Sequence, residues 1–414
     1  MSSSPPTKAL GGGARGGLAL TDPVQDSATE EAKAAAAPSF KEFRGLEHPS
    51  ARGDALLILS DGTEISGQAF GGRRSVSGEV VFATGMVGYP ESLTDPSYRG
   101  QLLTLTYPLI GNYGVPPSSE GDPLVSGFES GKIQASALVI STLSRDFSHW
   151  QSTRSLDSWL KEEGIPGIEG VDVRALTQRL REHGTMTAKL IIEGDKDADD
   201  VFNGAFVDPG KRNLVAEVSV REPVLHSCGV SGAPRILLVD CGAKANIARS
   251  LLRRHVDVLQ VPWDHDFVGE KGEAVLVSNG PGDPVRADRT VENLRRAICE
   301  DRPVMGICLG NQLLALAAGA RTYKLQFGHR SQNQPCVEVG ERRCLITSQN
   351  HGYAVDGEKL PGQWREWFRN ANDGSNEGIR HADRPYFSVQ FHPEAHPGPR
   401  DAAFLFDRFL ELVR

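Results

Sequence analysis

From residue 235 onward the chain alternates short, wholly apolar runs with stretches of helical periodicity, and few folds accommodate that pattern. Ile236-Leu237-Leu238-Val239, Val256 to Val261, Ala274 to Ser278 and Pro303 to Ile307 read as strands, while residues 244–254 and 289–299 read as helices. A strand apolar at every position must be covered on both faces, and strands separated by helices run parallel. An α/β fold with a covered parallel sheet is therefore expected. Its functional residues should lie just past the carboxyl ends of the strands.

The residues before this region follow another pattern. Leu56 to Leu59, the turn dipeptide Asp61-Gly62 and Glu64-Ile65-Ser66-Gly67 have the form of strands joined by a tight turn. The run Tyr107 to Gly114, rich in Gly, Pro and Tyr, suggests loops between short strands. Val173, Leu176 and Leu180 have helical spacing. Residues 54–205 thus read as a β-rich domain, 206–233 as a linker and 234–414 as the parallel-sheet domain. Residues 1–53 are rich in Ser, Gly, Pro and Ala and read as a disordered extension.

Charge and cysteine content exclude several classes of function. With 45 basic and 53 acidic residues the net charge is −8, which offers no general attraction to nucleic acid or an anionic membrane. No apolar run approaches the roughly 20 residues needed to span a bilayer. Lys8, Arg15 and the early serines give a faint transit-peptide character, which Asp22, Asp26, Glu30 and Glu31 remove. The expected compartment is the cytoplasm, with organellar import left open. Six cysteines in 414 residues, with no Cys-x-x-Cys, argue against a disulfide scaffold, a zinc ribbon or thioredoxin-like chemistry.

The sharpest chemical signal is Gly306-Ile307-Cys308-Leu309-Gly310, between the strand Pro303 to Ile307 and the helical run Gln312 to Ala318. It has the form of a nucleophile elbow with Cys in place of Ser. Small residues on both sides permit a tight turn, and the following helix start favours a thiolate. The Leu309 N–H is placed to face an oxyanion. A free cysteine is more often a small buried hydrophobe, and that reading is preferred for Cys241, Cys299, Cys336 and Cys344.

A second signal, His392-Pro393-Glu394, ends the strand-like run Tyr386 to Phe391. Residues two apart in an extended chain point the same way. His392 is then a base for the thiol and Glu394 the group that orients it. The third, Ser278-Asn279-Gly280-Pro281-Gly282-Asp283-Pro284, is a rigid loop after a strand, with backbone N–H groups free to bind an anion. The fourth is Ser348-Gln349-Asn350-His351-Gly352-Tyr353, polar residues beside a glycine. Taken singly, each of these three is an ordinary turn or loop. His351 is not expected to hold zinc, because no His-Glu-x-x-His or paired-cysteine frame surrounds it. No metal ligands are assigned.

Together the four segments resemble the class I glutamine amidotransferases, whose triad is Cys, His and Glu in that chain order. The match falls on Cys308, His392 and Glu394. The first half carries Gly78-Glu79-Val80-Val81-Phe82, Thr84 to Glu91, Leu93-Thr94-Asp95-Pro96-Ser97-Tyr98 and Leu105 to Gly114, which are similar to the small chain of carbamoyl-phosphate synthetase. The resemblance covers about residues 54–414. It implies a β-rich amino-terminal domain followed by a flavodoxin-like amidotransferase domain. It implies a glutamine pocket of Ser97, Gly280, Gly282, Leu309, Gln312, Asn350, Gly352 and Tyr353, lying between the two domains because Ser97 belongs to the first.

The resemblance also implies glutamine hydrolysis through a cysteine thioester, with ammonia passed through an internal tunnel to a synthetase. That partner is either a large chain or a fused region. There the ammonia meets carboxyphosphate made from bicarbonate and ATP. No cofactor is expected on this chain, which has no Walker-type Gly-x-x-x-x-Gly-Lys-[Ser/Thr]; ATP and a divalent metal are expected on the partner. The stretches Asn333 to Cys336 and Asn370 to Gly378 look closer to the multifunctional pyrimidine-pathway proteins than to bacterial small chains. Asn311 departs from the family, which usually has His there. Three other readings stay open: a catalytically silent regulatory chain of the same assembly, the glutaminase of another biosynthetic enzyme, and a cysteine peptidase on a related fold.

Overall fold

Seven strands of the first half close into a barrel in the order β1-β2-β8-β6-β4-β3-β9. They are β1 (Ala55–Leu59), β2 (Glu64–Gly71), β3 (Val76–Ala83), β4 (Gln101–Leu105), β6 (Ala137–Val139), β8 (Pro166–Glu169) and β9 (Met186–Ile192). The short strands β5 (Leu109–Ile110) and β7 (Thr142–Leu143) pair separately. The computed structural model describes residues 53–117, 124 and 127–413, so the extension expected at 1–53 lies, save for Gly53, outside the described residues.

The two faces of the barrel strands feed two cores. Leu57, Val80, Leu102 and Leu190 pack with Val173, Leu176 and Leu180 of helix α3 (Val173–His183). Val81, Leu103 and Leu138 pack with Leu93 of α1 (Tyr89–Thr94) and with Trp159 and Leu160 of α2 (Leu156–Glu162). Asp172 starts α3 by accepting the Ala175 N–H at 2.9 Å, an ordinary N-cap. Helix α4 (Ala198–Asn203) follows the barrel.

The stretch 206–233, expected as a linker, contains helix α5 (Leu214–Val218) and strand β10 (Val224–His226). Val224 and Leu225 are exposed, so no apolar pattern marks β10. It pairs antiparallel with β12 as the edge of the second sheet.

That sheet has ten strands, in the order β10-β12-β11-β13-β14-β19-β18-β17-β15-β16. Its parallel part is β12 (Asp257–Pro262), β11 (Arg235–Asp240), β13 (Ala274–Val277), β14 (Val304–Ile307) and β19 (Tyr386–Val389). Ile236 and Leu238 face α6 (Ala245–Leu252) and α9 (Phe404–Glu411). Leu237 and Val239 face α7 (Asp288–Ala297) and α8 (Leu309–Ala318). This is the layered α/β arrangement that unbroken apolar strands require.

The sheet continues antiparallel through β15 (Thr322–Glu338), β16 (Cys344–Val355), β17 (Trp364–Asn370) and β18 (Asn376–His381). β15 also reaches the barrel: Thr84 N–H donates to the Arg330 carbonyl at 3.0 Å and Thr185 N–H to that of Gln326 at 2.9 Å. The described residues from 53 onward form one compact unit.

Leu238 is fully buried between α6 and α9. Leu238→Ala should cost about 2–5 kcal/mol, the usual range for a truncated core leucine. A lowered urea midpoint with an unchanged slope is the expected readout.

Candidate functional site

Cys308 lies between β14 and α8 with φ 55° and ψ −102°, a conformation rarely held by a residue that has a Cβ. Two close approaches enforce it. A Cβ on Gly310 would sit 2.2 Å from the Val277 carbonyl oxygen, and one on Gly306 would sit 2.5 Å from that of Gly310. The Cys308 N–H donates to the Val389 carbonyl at 2.8 Å, fixing the elbow to the neighbouring strand. The thiol is buried, and Sγ donates to the Asn350 carbonyl at 3.5 Å.

His392 and Glu394 meet by a route other than the expected one. β19 ends at Val389, and the segment from Phe391 to Glu394 is a turn, closed by Ala395 N–H donating to the His392 carbonyl at 3.0 Å. Proline at 393 has no N–H to give to a strand ladder and fits this turn. The turn still sets His392 Nδ1 2.6 Å from Glu394 Oε1. Burial opposes charge on His392, but Glu394 and then Cys308 push its pKa up to about 10. Burial likewise opposes charge on Glu394, yet His392 and then Lys244 hold its pKa down at about 2. The His392 Nε2 makes no conventional hydrogen bond and is left for the thiol.

All eight residues expected around glutamine line one cavity with Cys308: Ser97, Gly280, Gly282, Leu309, Gln312, Asn350, Gly352 and Tyr353. A Cβ on Gly280 would lie 2.0 Å from the Cys241 carbonyl oxygen and 2.8 Å from Leu309, so only glycine lets this loop close on the elbow. Gln312 donates to the Tyr353 carbonyl at 2.9 Å. Asn311 faces the sheet instead, donating to Gln390 at 3.0 Å and accepting from Ser388 at 2.8 Å. Both bonds are neutral, so the residue is a buried structural tie that needs no charge.

Sequence reasoning missed the groups that hold these residues in place. Asp95 accepts from the Ser97 N–H at 2.9 Å and from Asn350 Nδ2 at 2.9 Å. Asn279 donates to the Ser97 hydroxyl at 2.9 Å and accepts the Lys244 N–H at 3.0 Å. Lys244 is buried; its Nζ lies 3.2 Å from Glu394 and donates to the Ala395 carbonyl at 2.6 Å. Asp95 preceding Pro96-Ser97 was the available signal, because Asp before Pro is a capping position. Lys244 gave none, and Asn279 was visible only as a member of the loop 278–284.

Comparison with known proteins shows the family. Residues 57–190 match the family model described as carbamoyl-phosphate synthase small chain, CPSase domain, and residues 237–412 match glutamine amidotransferase class-I. The chain is 48% identical to a carbamoyl phosphate synthase arginine-specific small chain of Chaetomium globosum over 87% of its own length and 78% of that protein's. It is 53% identical to the multifunctional protein CAD of Squalus acanthias and 50% identical to the multifunctional protein pyrABCN of Emericella nidulans. These matches take in 87% and 86% of the chain, which spans only 16% and 17% of those two proteins.

The chain belongs to the carbamoyl-phosphate synthase small chain family.

As a member of that family it carries a class I glutamine amidotransferase domain behind the small-chain barrel. No helix among the described residues is long and apolar enough to cross a membrane.

The His392–Glu394 pair makes a signed prediction. Glu394 sits below its ordinary 4.5, so its contribution is complete above about pH 4.5 and fades as pH falls toward 2. His392 sits above its ordinary 6.5, so its contribution is complete below about pH 6.5 and fades as pH rises toward 10. The stability gap between wild type and His392→Asn should therefore be widest between about pH 4.5 and 6.5. Urea midpoints measured across pH 3–10 test this; a flat difference would show that the pair carries no folding energy.

Proposed function

We propose that this small-chain family member hydrolyses glutamine to glutamate and ammonia and delivers the ammonia to a carbamoyl-phosphate synthetase. The observation that carries the reading is Cys308, held at φ 55° on a strand-to-helix elbow and flanked by a histidine that a carboxylate grips at 2.6 Å. In the proposed reaction the thiol proton resides on His392, and the Cys308 thiolate attacks the carboxamide carbon. The oxyanion faces the Leu309 N–H, which lies in the first turn of α8 and has no helical partner, together with N–H groups of the 280–282 loop. His392 then protonates the departing ammonia, leaving a thioester on Cys308. It next takes a proton from water, which attacks the thioester and releases glutamate.

The cavity also bears both signs of charge, Glu79 and Arg330 among its lining, which suits an amino-acid zwitterion. A second cavity lies past Asn350 and His392, lined also by Glu91, Lys244, Ser348 and Pro397. It supports a route by which ammonia leaves the glutamine cavity. The partner is a synthetase large chain or a fused synthetase region, where bicarbonate and ATP with a divalent metal form carboxyphosphate. The glutaminase steps use protein groups alone and require no cofactor on this chain.

The test is glutamate release by the purified chain beside Cys308→Ser, with and without a synthetase large chain. Wild type should release glutamate faster with the partner, and Cys308→Ser should lose roughly a thousandfold or more. Equal inertness of both proteins with a competent partner would favour a silent regulatory chain.

A further inference from the structure

The wall of the pocket holds a buried polar cluster that the proposed reaction does not use, and His351 of that cluster lines the cavity. β15 and β16 place His329 directly opposite His351, with ring centroids 4.9 Å apart, edge to face. Glu377 comes from a third strand. On β18, Asn376 pairs with Arg369 and Gly378 with Phe368, so Glu377 faces no residue across the ladder. Such a bulge redirects a side chain, and the Glu377 carboxylate enters the cluster fully buried. Its Oε1 lies 3.4 Å from His329 Nδ1 and 3.8 Å from His351 Nε2.

The donors do not balance. His351 Nδ1 is 2.8 Å from the Tyr353 carbonyl oxygen, and its Nε2 is 3.1 Å from Gln349 Oε1. Both neighbours are acceptors, and a neutral imidazole has one N–H. The Gln349 amide nitrogen donates to the Thr347 hydroxyl oxygen at 3.1 Å, and the hydroxyl proton is already given to the Gln334 carbonyl at 2.9 Å. The Gln349 amide nitrogen also meets Cys336 Sγ, at 3.3 Å. His329 meets the same difficulty: Nε2 is 2.8 Å from Asp373, while Nδ1 faces Glu377 without a conventional hydrogen bond. Glu377 Oε2 is also unpartnered. With Gln349 so oriented and Glu377 ionised, protons alone would satisfy both rings only as two imidazolium ions side by side in the interior, near the buried Arg330.

We infer that His329 Nδ1, His351 Nε2, Glu377 Oε1 and Gln349 Oε1 bind one divalent transition-metal cation of the zinc type. One such ion satisfies both rings in their neutral form, and Glu377 Oε1, which also accepts from Asn370 Nδ2 at 3.1 Å, shares its charge with the ion. His351 then donates its Nδ1–H to the Tyr353 carbonyl and His329 its Nε2–H to the Asp373 carboxylate. Metal-bound histidines are oriented by this kind of second partner. Tetrahedral zinc with bonds of about 2.1 Å requires ligand separations of about 3.4 Å. Three of the separations here are 3.1, 3.4 and 3.8 Å. The charges of Glu377 and Asp373 balance a divalent ion. Three strands supply the ligands, which is why no compact zinc motif marks the site in the sequence.

The ion would anchor the segment that carries Asn350, Gly352 and Tyr353, all of which line the cavity beside Cys308. This consequence rests on the proposed glutaminase reading; metal binding itself does not. The full chain, stripped by a chelator, is titrated with zinc and separately with cobalt(II). One equivalent of zinc by elemental analysis, a raised melting temperature and the intense visible bands of four-coordinate cobalt are expected. His329→Asn and Glu377→Gln should each weaken uptake at least tenfold, while Cys308→Ser should leave it unchanged. Absence of tetrahedral cobalt bands in the wild type overturns the site. So does equal uptake by wild type and both variants, which marks adventitious metal only. In parallel, removing zinc should raise the KM for glutamine more than it lowers kcat. Zinc bound with KM unmoved would keep the site and refute its link to the pocket.

Discussion

Lys244 is the cation on which the site depends. It is buried, and burial penalises its charge, yet Glu394, Glu129 and Asp95 together keep it protonated. Those three carboxylates come from different parts of the chain. Glu394 belongs to the turn after β19, while Glu129 and Asp95 belong to the first half. A buried charge with one partner is scarcely tolerated, and removing a partner from such a group typically costs about 3–5 kcal/mol. Lys244 therefore ties the orientation of His392 to the packing of the barrel against the sheet. Glu129 strengthens that tie. It accepts the Asn246 N–H at 3.0 Å at the start of α6 and pairs with Arg249 at 3.1 Å. A helix of the second half is thus capped by a carboxylate of the first.

The same coupling explains why the cavity needs both halves. Ser97 reaches it from a short helical turn of the first half, held by Asp95 beneath and by Asn279 from the loop after β13. Asp95 also grips Asn350 on β16. One small carboxylate and one amide thus set three walls of the cavity relative to one another. Such groups matter more for position than for net stability, because their hydrogen bonds largely replace those made to water. If Asp95 lost its place, Ser97 and Asn350 would move together.

How much of this was legible in the sequence follows from where the signals arise. The parallel strands were readable because Arg235–Asp240, Ala274–Val277 and Val304–Ile307 are apolar on both faces, and the elbow because glycines flank Cys308. The hairpin β15–β16 was not, because its residues alternate irregularly between buried and exposed and include polar groups that face the interior. β10 escaped for the opposite reason: it is an exposed edge with no core contact to leave a pattern. The residues of the cavity were placed by resemblance to a family, whereas Lys244, Asn279 and Glu129 are conspicuous only once the chain has folded. A buried lysine looks like any surface lysine until its three acids are seen around it.

The strained elbow and the buried charges are two aspects of one requirement. Cys308 holds an unfavourable backbone conformation only because the strands on either side leave it no alternative: Val389 takes its N–H and Val277 blocks any larger residue at 310. His392 is held by Glu394, Glu394 by Lys244, and Lys244 by carboxylates of the other half. Cys308 is thus fixed by backbone geometry inside one sheet, and His392 by electrostatics that cross between halves. A small shift of the barrel would leave Cys308 where it is and change the setting of His392.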